Sequence, residues 1–189
     1  MQTQGHGRGG AAFGAVAGAA AVGLVAGLAA NFGRKAVMQG VEAMAGDWFD
    51  VLKAEHLLVA ELFEKLEQTD ETETKKRALI FAKIKQGLSK HAFQEENVVY
   101  PALREADQEA AARHLNDEHF EIKTLLCEGE RLQKDDSRFM SIMRRLKSVV
   151  EEHVREEEDV VYPAFRAKMS DEQDAALTAR MLKEGLKLA

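Results

Sequence analysis

The chain contains one fourteen-residue phrase twice. Residues 91–104, HAFQEENVVYPALR, and residues 153–166, HVREEEDVVYPAFR, agree without a gap at His, Glu, Glu, Val, Val, Tyr, Pro, Ala and Arg. The only two prolines of the chain, Pro101 and Pro163, occupy equivalent places. The register continues upstream, where Glu55 and His56 precede the first copy and Glu118 and His119 precede the second at nearly the same distance. The sequence is therefore two related halves, each a His-bearing segment followed by a His-x-x-x-Glu segment.

Each of these four segments has the period of an amphipathic helix, with apolar residues returning at steps of three and four. The first carries Trp48, Leu52, His56, Val59, Phe63 and Leu66 on one face, behind Asp47 as N-cap. The second carries Ile80, Ile84, Leu88, His91, Glu95 and Val98; the third, behind a cap at Asp107, carries Leu115, His119, Ile122 and Leu126. The fourth carries Phe139, Ile142, Leu146, Val149, His153, Glu157 and Val160, and Ser170 with Gln173 forms a capping-box pattern for a shorter helix ending near Leu186. Short loops between long helices make sequential neighbours antiparallel. The expected fold is all-α, an up-down-up-down antiparallel four-helix bundle with a short C-terminal helix.

Residues four apart on a helix face the same side, so His91 pairs with Glu95 and His153 with Glu157 on otherwise apolar stripes. A buried carboxylate without a partner is heavily penalised, and two of them among four imidazoles call for cations. Four neutral nitrogens and two carboxylates can give two metal ions two imidazoles each, with both glutamates bridging. The single cysteine, Cys127, rules out thiolate zinc sites and internal disulfides, and fits a reducing compartment. Imidazole and carboxylate donors suit iron, manganese or zinc, and paired carboxylates in a helical bundle favour a dinuclear iron centre.

The remaining polar residues of the repeat have plainer expected places. Glu96 and Glu158 lie about 100° around the helix from Glu95 and Glu157 and are expected in solvent, as are Glu55 and Glu118. Tyr100 and Tyr162 are expected to pack near helix ends, and Pro101 and Pro163 to kink or restart a helix. His114 is expected on the surface and Cys127 as a buried, inert thiol.

The first 46 residues differ in kind. They hold 11 of the 14 glycines, and Arg8, Arg34 and Lys35 against Glu42 give them a net charge of +2 within a chain of −6, leaving −8 on the rest. The boundary is placed there, with a Gly/Ala-rich extension over 1–46 and the bundle over 47–189. Residues 11–30 carry no charge and are long enough to span a bilayer at about 1.5 Å per residue. Gly10, Gly14 and Gly18, then Gly23 and Gly27, recur at a four-residue spacing that lets helices approach closely. A membrane helix, a helix packing in a homo-oligomer and a flexible or targeting segment all remain open for residues 11–30. The acidic balance without a basic patch argues against nucleic acid as a partner. The expected location is the cytoplasm, with membrane association dependent on that segment.

The motifs AEH at 54–56, HAFQEENVVYP at 91–101, DEH at 117–119 and HVREEEDVVYP at 153–163 resemble those of the hemerythrin HHE cation-binding domain over about Asp47 to Met169. The resemblance implies a four-helix bundle with a non-haem di-iron centre, two iron ions with an oxo or hydroxo bridge. Its ligands would be His56, His91, Glu95, His119, His153 and Glu157. Oxygen-carrying hemerythrins have a further His one turn beyond the third-helix ligand, where this sequence has Lys123. The symmetric four-His, two-Glu set is similar to that of di-iron proteins associated with repair of iron-sulfur clusters under nitrosative and oxidative stress. Their cysteine-bearing N-terminal module is replaced here by the glycine-rich segment. The implied functions are binding of O2, NO or peroxide in sensing or stress protection, turnover of peroxide or NO, and iron storage or donation.

Overall fold

The computed structural model describes residues 46–187. Apart from Gly46, the N-terminal extension expected over 1–46, with its membrane or oligomerisation segment at 11–30, lies outside the described residues. Among the described residues no helix is long and apolar enough to cross a membrane.

Regular structure in this region is entirely helical. Helix α1 (Trp48–Glu67) starts where the Asp47 carboxylate accepts the N–H groups of Phe49 and Asp50. Helix α2 (Thr74–Gln94) runs into a five-residue π-helical turn (Glu95–Val99) and resumes as α3 (Tyr100–Glu105). The second half repeats this plan: α4 (Glu109–Arg131), then α5 (Ser137–Glu156), a second π-helical turn (Glu157–Val161) and α6 (Tyr162–Arg166). Helix α7 (Asp171–Gly185) has the expected capping box between Ser170 and Gln173. Asp107 does not cap α4, whose N-cap is Gln108; it takes the left-handed backbone of the connecting turn, with φ at 59°, a conformation a short polar side chain tolerates.

Two apolar layers set the topology. One contains Trp48, Leu52, Val99, Leu103, Leu115, Val161 and Phe165; the other contains Val59, Phe63, Ile84, Leu88, Ile122, Leu126, Phe139 and Leu146. Helices α1 and α4 pass from the first layer to the second, whereas the α2–α3 and α5–α6 rods pass back. That is the up-down-up-down antiparallel bundle the sequence predicts. Each rod carries its histidine at the level where one layer gives way to the other, so the polar cluster is sealed from both sides by close-packed side chains.

Helix α7 closes the first layer with Leu177 and Met181. The Trp48 indole N–H donates to Asp174 at 2.7 Å, the Trp48 backbone N–H donates to the Thr178 hydroxyl at 3.0 Å, and Arg166 reaches both Asp47 and Asp174. The apolar face of the fourth helix differs from its expected line. Met143 and Val150 are buried where Ile142 and Val149 are only partly so, and Val161 is buried while Val160 is exposed. The π turn contains these last two positions and its wider winding shifts the face accordingly.

Candidate metal centre

The structure brings together all six residues singled out as ligands, each at most 9% exposed. His56 Nε2 lies 3.0 Å from His91 Nε2, and His119 Nε2 lies 3.1 Å from His153 Nε2. Glu95 Oε2 is 3.0 Å from His91 Nε2 and 3.2 Å from His119 Nε2, spanning the two pairs. Glu157 spans them too, its Oε2 3.4 Å from His56 Nε2 and its Oε1 3.3 Å from His153 Nε2. Two overlapping donor groups result: His56, His91, Glu95 and Glu157, and His119, His153, Glu95 and Glu157, with the donor atoms of each within 4.8 Å of one another.

The opposite edge of every ring is held by a carboxylate. His56 Nδ1 meets Glu158 at 2.7 Å, His91 Nδ1 meets Glu55 at 3.2 Å, His119 Nδ1 meets Glu96 at 2.9 Å and His153 Nδ1 meets Glu118 at 2.8 Å. A carboxylate accepts a hydrogen bond from Nδ1–H and so leaves the lone pair of the neutral ring on Nε2. The expectation that these four glutamates stand in solvent is corrected. A helical wheel describes one helix, and each of these side chains reaches a ring on a neighbouring helix. The signal was present in the sequence, since both Glu-Glu pairs and both Glu-His pairs are repeated.

The interior of the cluster lacks compensation. Glu95 Oε2 and Glu157 Oε2 are fully buried with no hydrogen-bond partner, although such groups are ordinarily satisfied. Four ring nitrogens converge beside them. Without a cation, protons must take the role: burial pulls His119 down, but Glu95 and Glu96 outweigh it and raise its pKa to about 9. His91 is likewise held well above its usual range, burial being outweighed by Glu95 and Glu55. Burial pushes Glu95 up, yet the His91 and His119 rings hold it well below the usual carboxylate range. Two orphaned carboxylate oxygens and four nitrogens, aimed inward and backed by four outer carboxylates, fit a pair of metal cations.

Tyr100 and Tyr162 stand at helix ends as expected, the first residues of α3 and α6, but both are also completely buried at the cluster. Tyr162 OH lies 2.5 Å from Glu95 Oε1 and 2.6 Å from Glu157 Oε1. Tyr100 OH donates to Glu157 Oε1 at 3.2 Å and lies 3.1 Å from His119 Nε2. In an α-helix a residue five along points about 140° away. The π turn bonds the N–H of Tyr100 to the carbonyl of Glu95, and that of Tyr162 to Glu157, turning both tyrosines into the cluster, where Tyr162 meets the glutamate of its own turn and Tyr100 that of the other half. Each proline restarts the α-helix immediately afterwards, as expected.

The two halves are not equivalent around this core. Buried Lys90 donates to Glu55 at 2.8 Å, and half-exposed Lys123 pairs with Glu96. His114 is exposed, as expected, 3.5 Å from Glu118. Cys127 is exposed, contrary to expectation: eight residues past His119, it lies some 80° around α4 from the ligand. Beside the four imidazoles is a cavity of about 20 Å³, walled by Leu88, Ile122, Leu126 and Val150, with Ser89 and Lys123 at its rim.

Comparison with known proteins bears on this site. Residues 48–165 match the family described as Hemerythrin HHE cation binding domain. A Nostoc protein named DNA nickase is 33% identical over 138 residues, which is 73% of this chain and 39% of that protein. The chain thus spans well under half the length of that relative. A crystal structure of a hemerythrin HHE cation binding domain-containing protein from Mycobacterium kansasii has the same fold, with a TM-score of 0.66 and 23% identity. That match covers 75% of this chain and 86% of the other.

Proposed function

Because the chain belongs to the hemerythrin HHE cation binding domain family, we propose that it holds two iron ions and uses them to bind or react with O2, NO or peroxide in sensing or stress protection. The observation carrying this reading is the pair of donor groups sharing Glu95 and Glu157. His56 and His91 would hold one ion, His119 and His153 the other, with both glutamates bridging. Bound iron supplies open coordination positions and one-electron chemistry. The residues of the chain do the rest. Glu158, Glu55, Glu96 and Glu118 orient the rings, while Leu88, Ile122, Leu126 and Val150 exclude bulk water.

The cavity supports a small ligand. About 20 Å³ is room for roughly one water-sized body, which suits a diatomic molecule or peroxide. The name of the Nostoc relative raises DNA cleavage as another reading. The net −8 on residues 47–189 opposes a phosphate backbone, and the cavity has no room for a phosphodiester. Exposed Cys127, a free thiol, fits a reducing setting such as the cytoplasm.

The test is metal analysis and optical spectroscopy of the full chain beside a His91→Ala, Glu95→Ala variant. Two irons per chain are expected, with near-ultraviolet charge-transfer bands that vanish in the variant and change on mixing with O2, NO or peroxide. Zinc or no metal in protein made with ample iron would refute the iron reading. Multiple turnovers with a reductant would make the protein an enzyme, and transfer of iron to an apo acceptor would make it a donor.

A further inference from the structure

We propose that Tyr162 is a positioning residue for the metal centre: its single hydroxyl aims both bridging carboxylates, and the π turn preceding it exists to put it there. The inference rests on the metal reading above and adds Tyr162 to the four outer glutamates as a residue that orients the donors.

Glu95 and Glu157 come from different halves of the chain, yet their Oε1 atoms meet at one oxygen, Tyr162 OH, at 2.5 and 2.6 Å. With Oε1 fixed there, each carboxyl plane has one remaining direction for Oε2, toward the imidazoles. Both Oε2 atoms are the ones left without a hydrogen-bond partner. The hydroxyl, its one hydrogen shared between the two Oε1 atoms, thus holds one oxygen of each carboxylate; Glu95 keeps Oε2 for a cation, and Glu157 keeps Oε2 beside His56 while its Oε1 also lies 3.3 Å from His153 Nε2. The ring is wedged edge-on against Trp48 and Phe49, at centroid separations of 5.3 and 5.8 Å, so it cannot swing away. Tyr100, the repeat equivalent, reaches Glu157 alone among the carboxylates, at 3.2 Å, and turns its hydroxyl to His119 as well. One tyrosine of the pair has taken the central role.

Removing a partner that orients a metal ligand typically costs about 10–100-fold in metal affinity. The experiment titrates full-length, metal-free wild type, Tyr162→Phe, Tyr100→Phe and Phe165→Leu with Co(II) and with anaerobic Fe(II), recording affinity and the Co(II) ligand-field spectrum. Phe165→Leu disturbs packing in the same apolar layer without touching a carboxylate. Tyr162→Phe is expected to lose about 10–100-fold in affinity and to change the Co(II) spectrum, Tyr100→Phe to do both less, and Phe165→Leu to do neither. Circular dichroism and melting of the metal-free forms establish folding; should Tyr162→Phe not fold, the Tyr100→Phe shift relative to Phe165→Leu decides. Equal affinity and spectrum in Tyr162→Phe and wild type would overturn the proposal, as would a Phe165→Leu shift of the same size. A visible phenolate-to-iron band in Fe(III)-loaded wild type, lost in Tyr162→Phe, would make the residue a ligand and also overturn it. Wild type that takes no metal would refute the underlying metal reading instead, and the inference with it.

Discussion

Glu158 Oε1 lies 2.7 Å from His56 Nδ1, on the edge of the ring that faces away from His91. The same relation recurs at the other three rings, so every imidazole is held in orientation, with Nδ1–H on its carboxylate and Nε2 toward the cluster. Neutralising Glu158 removes part of that. Glu158→Ala is expected to weaken metal binding by about 10–100-fold, and Glu158→Gln, which keeps an acceptor but loses the charge, by less. Competition against a chelator measures both; an unchanged affinity in Glu158→Ala would show that the contact is incidental.

The raised pKa of His119 gives the metal-free protein a pH signature. A group whose folded pKa, about 9, exceeds its unfolded value, about 6.5, stabilises the fold fully below the lower value. That contribution disappears as pH rises through the higher one. His91 is shifted in the same direction. The melting temperature of metal-free protein is therefore expected to fall between about pH 6.5 and 9, by the equivalent of a few kcal/mol. Metal must displace these protons, so metal affinity rises over the same interval. Melting with and without chelator across this range checks both, and a flat metal-free profile would contradict the assignment.

What was legible in the sequence depended on whether one helix sufficed to show it. His91 with Glu95 and His153 with Glu157 follow from the four-residue period of a single α-helix, and the repeat adds His56 and His119. The four outer glutamates needed the neighbouring helix, because Glu158 sits on one rod and its ring on another. Tyr100 and Tyr162 needed the π turn, which no periodicity announces; the same turn exchanges Val160 for Val161 in the core. Cys127, by contrast, needed one helix only: eight residues past His119 it lies about 80° around α4, off the buried face.

The clamp between α1 and α7 predicts a stability effect separate from the metal. Asp174 accepts the N–H of fully buried Trp48 and also meets Arg166. Asp174→Ala leaves that donor unsatisfied, at a cost of about 1–3 kcal/mol. The melting temperature is expected to drop by about 2–12 °C with metal stoichiometry unchanged, since Asp174 touches none of the six donors. Loss of bound metal without loss of stability would refute this division of labour.

The two prolines connect backbone chemistry to the site. Pro163 has no N–H to offer Asp159 one turn back, and its ring would crowd that carbonyl in a regular α-helix. The chain instead widens into the Glu157–Val161 π turn and restarts as α6 with Pro163 in its first turn. Pro163→Ala restores the missing donor and the option of a regular helix, which would carry Tyr162 about 140° around from Glu157 rather than over it. Neither a ligand nor a hydrogen bond is removed directly. Metal-free Pro163→Ala is expected to melt at or above the wild-type temperature, because a helical proline has been replaced by the best helix former, and yet to bind metal about 10-fold more weakly. Pro101→Ala, beside the tyrosine with the longer contacts, is expected to lose less. Melting and Co(II) titration of the same samples separate the two effects. A variant that lost stability and affinity together would mean the proline supports packing, whereas the opposed changes expected here would identify the π turn as a feature kept for the site at the expense of the helix.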